Sequence, residues 1–263
     1  MAQIWMYSGP PFDGGLFRAC RERLGEGELR YVLDARTPEH GVDERAAAIA
    51  AELAVAEEPV ILVGHGLAVP AVIGAAIRVR PAALILADGP ITRLDPVTRG
   101  LAALAAAPAG RLLLTRILLH PGIWLRYLAS SAGLRRVVIN PYVMDRDNVA
   151  ALAGSTVATQ EDRLAIANYI RSLGRGLPEV AAVTAPTWLI WGGDDPLYPP
   201  YEADYARAAL PDARWIEVAG GQFAHPDERP WELAEHLSAA RDVVVPPVDH
   251  DSDVALGQLK PWA

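Results

Sequence analysis

The feature that most constrains this chain is a rhythm of short apolar strands and helices that breaks off after Ile91 and resumes beyond Val183. Before the break, Ile4–Tyr7, Glu28–Leu33, Val60–Val63 and Ala83–Ala87 read as strands. Leu16–Leu24, Val42–Ala56 and Leu67–Arg78 read as the helices between them, with Asp43 and Glu44 placed to suit a helix N-terminus. Within the break only helices are expected: Thr98–Ala106, Arg111–Leu119, Gly122–Ala132, Asp145–Thr156 and Gln160–Leu173. Then come a strand at Thr187–Trp191, a helix at Tyr201–Ala209, a strand at Arg214–Val218 and a helix at Trp231–Ala240. Repeated strand–helix units imply a mostly parallel sheet with helices on both faces. The strand-free stretch is expected to be a helical cap inserted between two sheet strands. The expected division is 1–90 with 184–242 as the α/β core, 91–183 as the cap, and 243–263 as a loosely packed tail.

Composition removes several function classes. With 263 residues, 51% of them apolar, the chain can bury a sizeable core without disulfides or metal. Cys20 is the only cysteine, which excludes an intrachain disulfide and fits a cytoplasmic address. No apolar run nears the ~20 residues of a membrane helix, and the first residues lack the pattern of a signal peptide. A net charge of −8 opposes nonspecific binding to nucleic acid or to an anionic membrane, so neither is expected as a partner. Lys260 is the only lysine, which argues against Schiff-base chemistry and a P-loop. The alanine- and arginine-rich composition suggests coding from GC-rich DNA, as in many bacteria. No His/Cys cluster has zinc spacing. The acidic run Asp249–Asp253 has Val254 and Lys260 where a calcium loop needs glycine and glutamate. Gly64-His65-Gly66-Leu67-Ala68-Val69, with Asp88 ending the next strand, has part of a dinucleotide fingerprint. Val69 replaces its third glycine, and the motif follows the third strand and not the first. Neither a cofactor nor a metal is therefore expected.

Three motifs, in order and spacing, resemble the α/β-hydrolase family over nearly the whole chain to about Ala240. Val60–Ala68, Val-Ile-Leu-Val-Gly-His-Gly-Leu-Ala, resembles that family's strand, nucleophile elbow and helix, G-x-S-x-G. Ala185–Pro199 resembles the strand and loop that deliver the acid, which would fall on Asp195. Val218–Pro230 resembles the loop that delivers the histidine and opens the last helix. The resemblance implies an α/β-hydrolase fold with an inserted cap.

The same resemblance speaks against the family's usual chemistry. Gly66 stands at the nucleophile position and has no side chain to attack a carbonyl, though glycine tolerates that strained turn. Gln222 stands at the histidine position, and an amide is no general base near neutral pH. The loop after the first strand reads Ser8-Gly9-Pro10, and Pro10 has no N–H for an oxyanion hole. The candidate catalytic groups are therefore Asp195, Asp88 at the carboxyl edge of a strand, and His225 three residues past Gln222. His65 is expected to point away from the pocket in a structural role. The candidate binding positions are Ser8, Gly9, Gly66, Leu67, Gln222 and, on one face of a cap helix, Trp124 and Tyr127; Tyr142 and Tyr169 are further cap aromatics.

These observations lead to the expectation of a cofactor-independent, non-hydrolytic enzyme acting on a small apolar molecule. A lyase, isomerase, dehydratase or cyclase of specialised metabolism would fit. Two alternatives stand beside it: a non-catalytic ligand-binding protein, and a hydrolase with a rearranged triad using Ser8 as nucleophile and His225 as base. A tail with Pro246, Pro247 and Trp262 offers a surface for a homodimer.

Overall fold

The computed structural model describes residues 2–137 and 146–244. The elements run, in chain order, β1 (Gln3–Ser8), α1 (Arg18–Leu24), β2 (Glu28–Tyr31), α2 (Val42–Ala54), β3 (Val60–His65), α3 (Val69–Arg78) and β4 (Ala83–Ala87). The insertion follows with α4 (Pro96–Ala106), α5 (Pro108–Leu113), α6 (Pro121–Leu128), α7 (Ser131–Val137), α8 (Arg146–Gly154) and α9 (Gln160–Leu173). The chain then returns to the sheet with β5 (Thr187–Gly192), α10 (Pro200–Ala209), β6 (Arg214–Val218), α11 (His225–Glu228) and α12 (Pro230–Val244).

The strands form one sheet in the order β2-β1-β3-β4-β5-β6, and every neighbouring pair is parallel. β3, β4 and β5 are buried on both faces, as parallel strands covered by helices on each side must be. Side chains alternate between two cores. Trp5, Tyr7, Leu62, Leu84 and Leu189 pack toward α2, α3 and the insertion. Ile4, Met6, Ile61, Val63, Ile85 and Ile190 pack with α1 and α12 on the other face. α3 is apolar on every side and buried from Val69 to Ala76, which makes it the central helix under the insertion.

Three of the helices, α4, α6 and α9, begin at a side-chain cap that the sequence provides. Asp95 Oδ1 accepts from the N–H groups of Val97 (2.9 Å) and Thr98 (3.0 Å), with Pro96 opening α4. Thr159 and Asp162 cap α9 reciprocally. Two helices read from the sequence come out differently. The one expected at Arg111–Leu119 starts at Pro108, where proline is favoured, and ends in a π-turn at Leu114–Leu118. There the Leu119 N–H reaches back to the Leu114 carbonyl (2.8 Å), while the Thr115 hydroxyl donates to the Arg111 carbonyl (2.9 Å). The one expected at Gly122–Ala132 splits into α6 and α7, because the Ser130 hydroxyl accepts from the Gly133 N–H (3.1 Å) and starts a new helix. α12 runs on to Val244, two residues into the segment expected as a tail. Residues 245–263, with Pro246, Pro247, the acidic run and Trp262, lie outside the described residues, as does Tyr142.

Candidate functional site

β3 ends at His65, and the chain turns sharply through Gly66 into α3. Gly66 has φ +59°, a left-handed conformation that glycine adopts without strain. A Cβ at this position would stand 2.7 and 3.0 Å from two ring carbons of Phe223, so the Phe223 ring occupies the space above the turn. The loop after β1 presses on the same turn: a Cβ on Gly9 would stand 2.5 Å from the Ala68 nitrogen. From the insertion, the Tyr169 hydroxyl donates to the Leu67 carbonyl (2.7 Å) and ties α9 to the elbow.

Beneath the turn, at the carboxyl edge of the sheet, lies a buried polar cluster. Asp88, fully buried just past β4, accepts from the Gly192 N–H at Oδ1 (2.8 Å) and binds His225 Nε2 at Oδ2 (2.6 Å). Its φ of +40° is the one positive value at a non-glycine residue among those described. His65 Nε2 donates to the Phe223 carbonyl (2.8 Å) and lies 3.8 Å from the Asp88 carboxylate, too far for a hydrogen bond. Burial pushes the His65 imidazole down to about 4, so it is neutral at pH 7 and the pair is not an ion pair. Asp195 Oδ1 accepts from the N–H groups of Leu197 (2.7 Å) and Tyr198 (3.2 Å), while its Oδ2 is buried without a partner. Burial first, and the nearby Asp88 charge second, hold the Asp195 carboxyl well above the usual range. His65, Asp88, Asp195 and His225 are all buried, and among the described residues no three His, Cys, Asp or Glu side chains are grouped to hold a metal ion.

A separate, mostly apolar cavity of about 200 Å³ lies between the elbow and the insertion. Its core side is formed by Pro10, Pro11, Leu67, Leu197, Tyr198 and Phe223. Its insertion side includes Leu114, Leu118, Trp124, Tyr127 and Leu128, with Asp95, Thr98, Arg136 and Thr156 as polar contributors. The rings of Trp124 and Tyr127, one helical turn apart, have centroids 6.3 Å apart.

The structure thus separates the site residues expected from the sequence into two sets. Leu67, Trp124 and Tyr127 line the cavity. Asp88, Asp195 and His225 do not; they sit in the buried layer, as does His65, which points away from the cavity. Ser8 also stands outside the cavity: its hydroxyl is buried and donates to the Arg30 carbonyl at 3.5 Å, toward the sheet edge. Gly9 and Gly66 serve close packing, and the half-buried Gln222 is absent from the lining. Phe223 lies within the Val218–Pro230 motif, but nothing in the sequence distinguishes it from an ordinary core aromatic. Pro10 and Pro11 both line the cavity, whereas the sequence distinguishes Pro10 only by its missing N–H.

No family model matches the chain, and no curated protein matches it. Solved structures do. A thermophilic esterase from Thermogutta terrifontis superposes with a TM-score of 0.67 at 17% identity, over 93% of this chain and 90% of the esterase. The haloalkane dehalogenase DatA from Agrobacterium tumefaciens gives 0.66 at 16% identity, over 93% and 90%. An α/β-hydrolase-fold protein from Burkholderia ambifaria gives 0.69 at 16% identity, over 90% and 89%.

Proposed function

On the premise that the chain has the α/β-hydrolase fold, we propose that it encloses a small, largely apolar organic molecule under its cap without forming an acyl-enzyme. One observation carries this reading: the Phe223 ring fills the space into which a side chain at position 66 would project. The elbow therefore offers no nucleophile, and the Asp88–His225 pair lies outside the lining of the cavity. What faces the cavity is leucine, proline and aromatic surface with few polar groups, which favours an apolar body over a charged one. Its volume of about 200 Å³ is below the ~300–1,000 Å³ typical of drug-sized ligands, so the occupant is small.

A second reading, a cofactor-independent lyase, isomerase, dehydratase or cyclase, draws on Asp88 and Asp195. Asp88 has strained backbone at the carboxyl edge of the sheet, and strain of this kind clusters at functional sites. The Asp195 carboxyl is held in its protonated form to unusually high pH, as a general acid requires. In that reading Phe223 swings aside to join cavity and cluster. A rearranged triad has less support, because the Ser8 hydroxyl faces Arg30.

Native mass spectrometry with a panel of small apolar molecules, activated esters and a fluorophosphonate separates these readings. Under binding, a non-covalent adduct is recovered with unchanged mass, and the fluorophosphonate labels nothing. Leu118→Trp, which fills the cavity, abolishes the adduct. Recovery of a converted molecule moves the assignment to the enzyme, with Asp88→Asn and Asp195→Asn then abolishing turnover. A covalent adduct on a serine overturns the proposal.

A further inference from the structure

The insertion has a charge pattern opposite to that of the rest of the chain. Of 24 basic and 32 acidic residues in all, residues 96–137 hold six arginines and not one aspartate or glutamate. The same stretch carries exposed aliphatic side chains: Leu112 is 59% exposed, Ile117 47% and Ile123 48%, with Leu113 beside them. Leu112, Leu113, Arg116 and Ile117 recur at the spacing that places them on one outward side of α5 and its π-turn. Ile123, Arg126 and Tyr127 do the same on α6. Arg116 and Arg126 are exposed and form no ion pair with any described residue. Leu118 and Tyr127 are both exposed and part of the cavity lining, so the outer apolar face is continuous with the cavity.

From this we infer that the outward face of α5, the π-turn and α6 docks on an anionic lipid bilayer. Large apolar side chains interspersed with arginines are the chemistry of an interfacial helix. The aliphatic groups enter the boundary between headgroups and acyl chains, and the guanidinium groups stay at headgroup level. The overall negative charge turns the rest of the molecule away from the same surface and so fixes the orientation. Among the described residues no single helix is long and apolar enough to cross a membrane, and α4 and the helix ending at Leu118 are bent by 113°. An acidic protein would satisfy the arginines but not the exposed leucine and isoleucine side chains, which is why a bilayer is the better fit.

The test is co-sedimentation of the full chain with phosphatidylcholine vesicles, with and without phosphatidylglycerol. Binding is expected only with phosphatidylglycerol, and weakened by salt. Arg116→Gln and Arg126→Gln are each expected to reduce affinity about fivefold. Leu113→Ser with Ile117→Ser is expected to remove it while the circular dichroism spectrum is unchanged. None of these four positions lines the cavity, so this result is read independently of what the cavity holds. The inference is overturned by no sedimentation on anionic vesicles, by equal binding to neutral ones, or by variants that bind like wild type. It is also overturned by a dimer in light scattering that the same variants dissociate without any vesicle binding, which would make a second copy the occupant.

Discussion

At the scale of single residues, the elbow is decided by the contact between Gly66 and Phe223. A side chain at position 66 must adopt φ +59° and displace an aromatic ring, so Gly66→Ala is expected to cost about 3 kcal/mol from backbone strain and overpacking. Phe223→Leu also destabilises alone, yet the double variant is expected to be less destabilised than the sum, which a denaturant double-mutant cycle reads directly. Additive losses would mean that Phe223 does not close the elbow. His65 and Asp195 give pH-dependent predictions of opposite sign. The folded imidazole of His65 is pushed from 6.5 down to about 4. At pH 7 it is neutral folded and unfolded alike; below 6.5 the unfolded chain takes a proton that the folded one refuses. Its contribution therefore turns unfavourable between pH 6.5 and 4, reaching about 3 kcal/mol. The stability of His65→Gln, whose amide can keep the donor toward the Phe223 carbonyl, is expected to gain on wild type as pH falls from 7 to 5. Asp195 is raised, so its folded form holds a proton that the unfolded form has lost, and its contribution worsens as pH rises. Asp195→Asn, which keeps an acceptor for Leu197 and Tyr198, is expected to gain in stability relative to wild type as pH rises from 5 to 8. Urea titrations at the two pH values check both signs.

At the scale of elements, the insertion is held over the sheet by a few directed bonds as well as by apolar packing. Tyr169 on α9 donates to the Leu67 carbonyl (2.7 Å), and Ser172 one turn on accepts from the Val42 N–H (2.9 Å) at the start of α2. One helix of the insertion thus satisfies polar groups at the elbow and at the start of a core helix. Tyr169→Phe leaves the Leu67 carbonyl without its donor in a buried site, and a loss of about 1 kcal/mol is expected. Hydrogen exchange is expected to show faster opening of α9 and the elbow together, since the bond joins them; faster exchange in α9 alone would show that the tie is unimportant. The helix expected from Thr98 starts two residues earlier, at Pro96, because Asp95 caps it and proline suits its first position. The split between α6 and α7 was not legible in the sequence, because Ser130 is compatible with a helix interior until its hydroxyl finds the Gly133 N–H.

At the scale of the whole molecule, the cavity joins the two halves, so a ligand that fills it binds only the folded, capped chain. At a concentration one hundred times its Kd such a ligand adds about 2.7 kcal/mol of stability. A rise in melting temperature is expected with wild type and none with Leu118→Trp; a rise that survives this substitution would locate the ligand elsewhere. The sequence by itself determined the parallel sheet, the insertion and the glycine at the elbow. Apolar periodicity, turn residues and the absence of a side chain are local properties, readable without neighbours. It also placed Leu67 at the start of the helix after the elbow and Trp124 and Tyr127 on one helix face, and all three line the cavity. Only the tertiary structure decided that Asp88, Asp195 and His225 lie in a buried layer apart from the cavity. That outcome depends on where one ring from the loop after β6 comes to rest against a turn between β3 and α3, positions 157 residues apart in the chain. No local pattern encodes such a meeting, because it is set by the packing of distant segments.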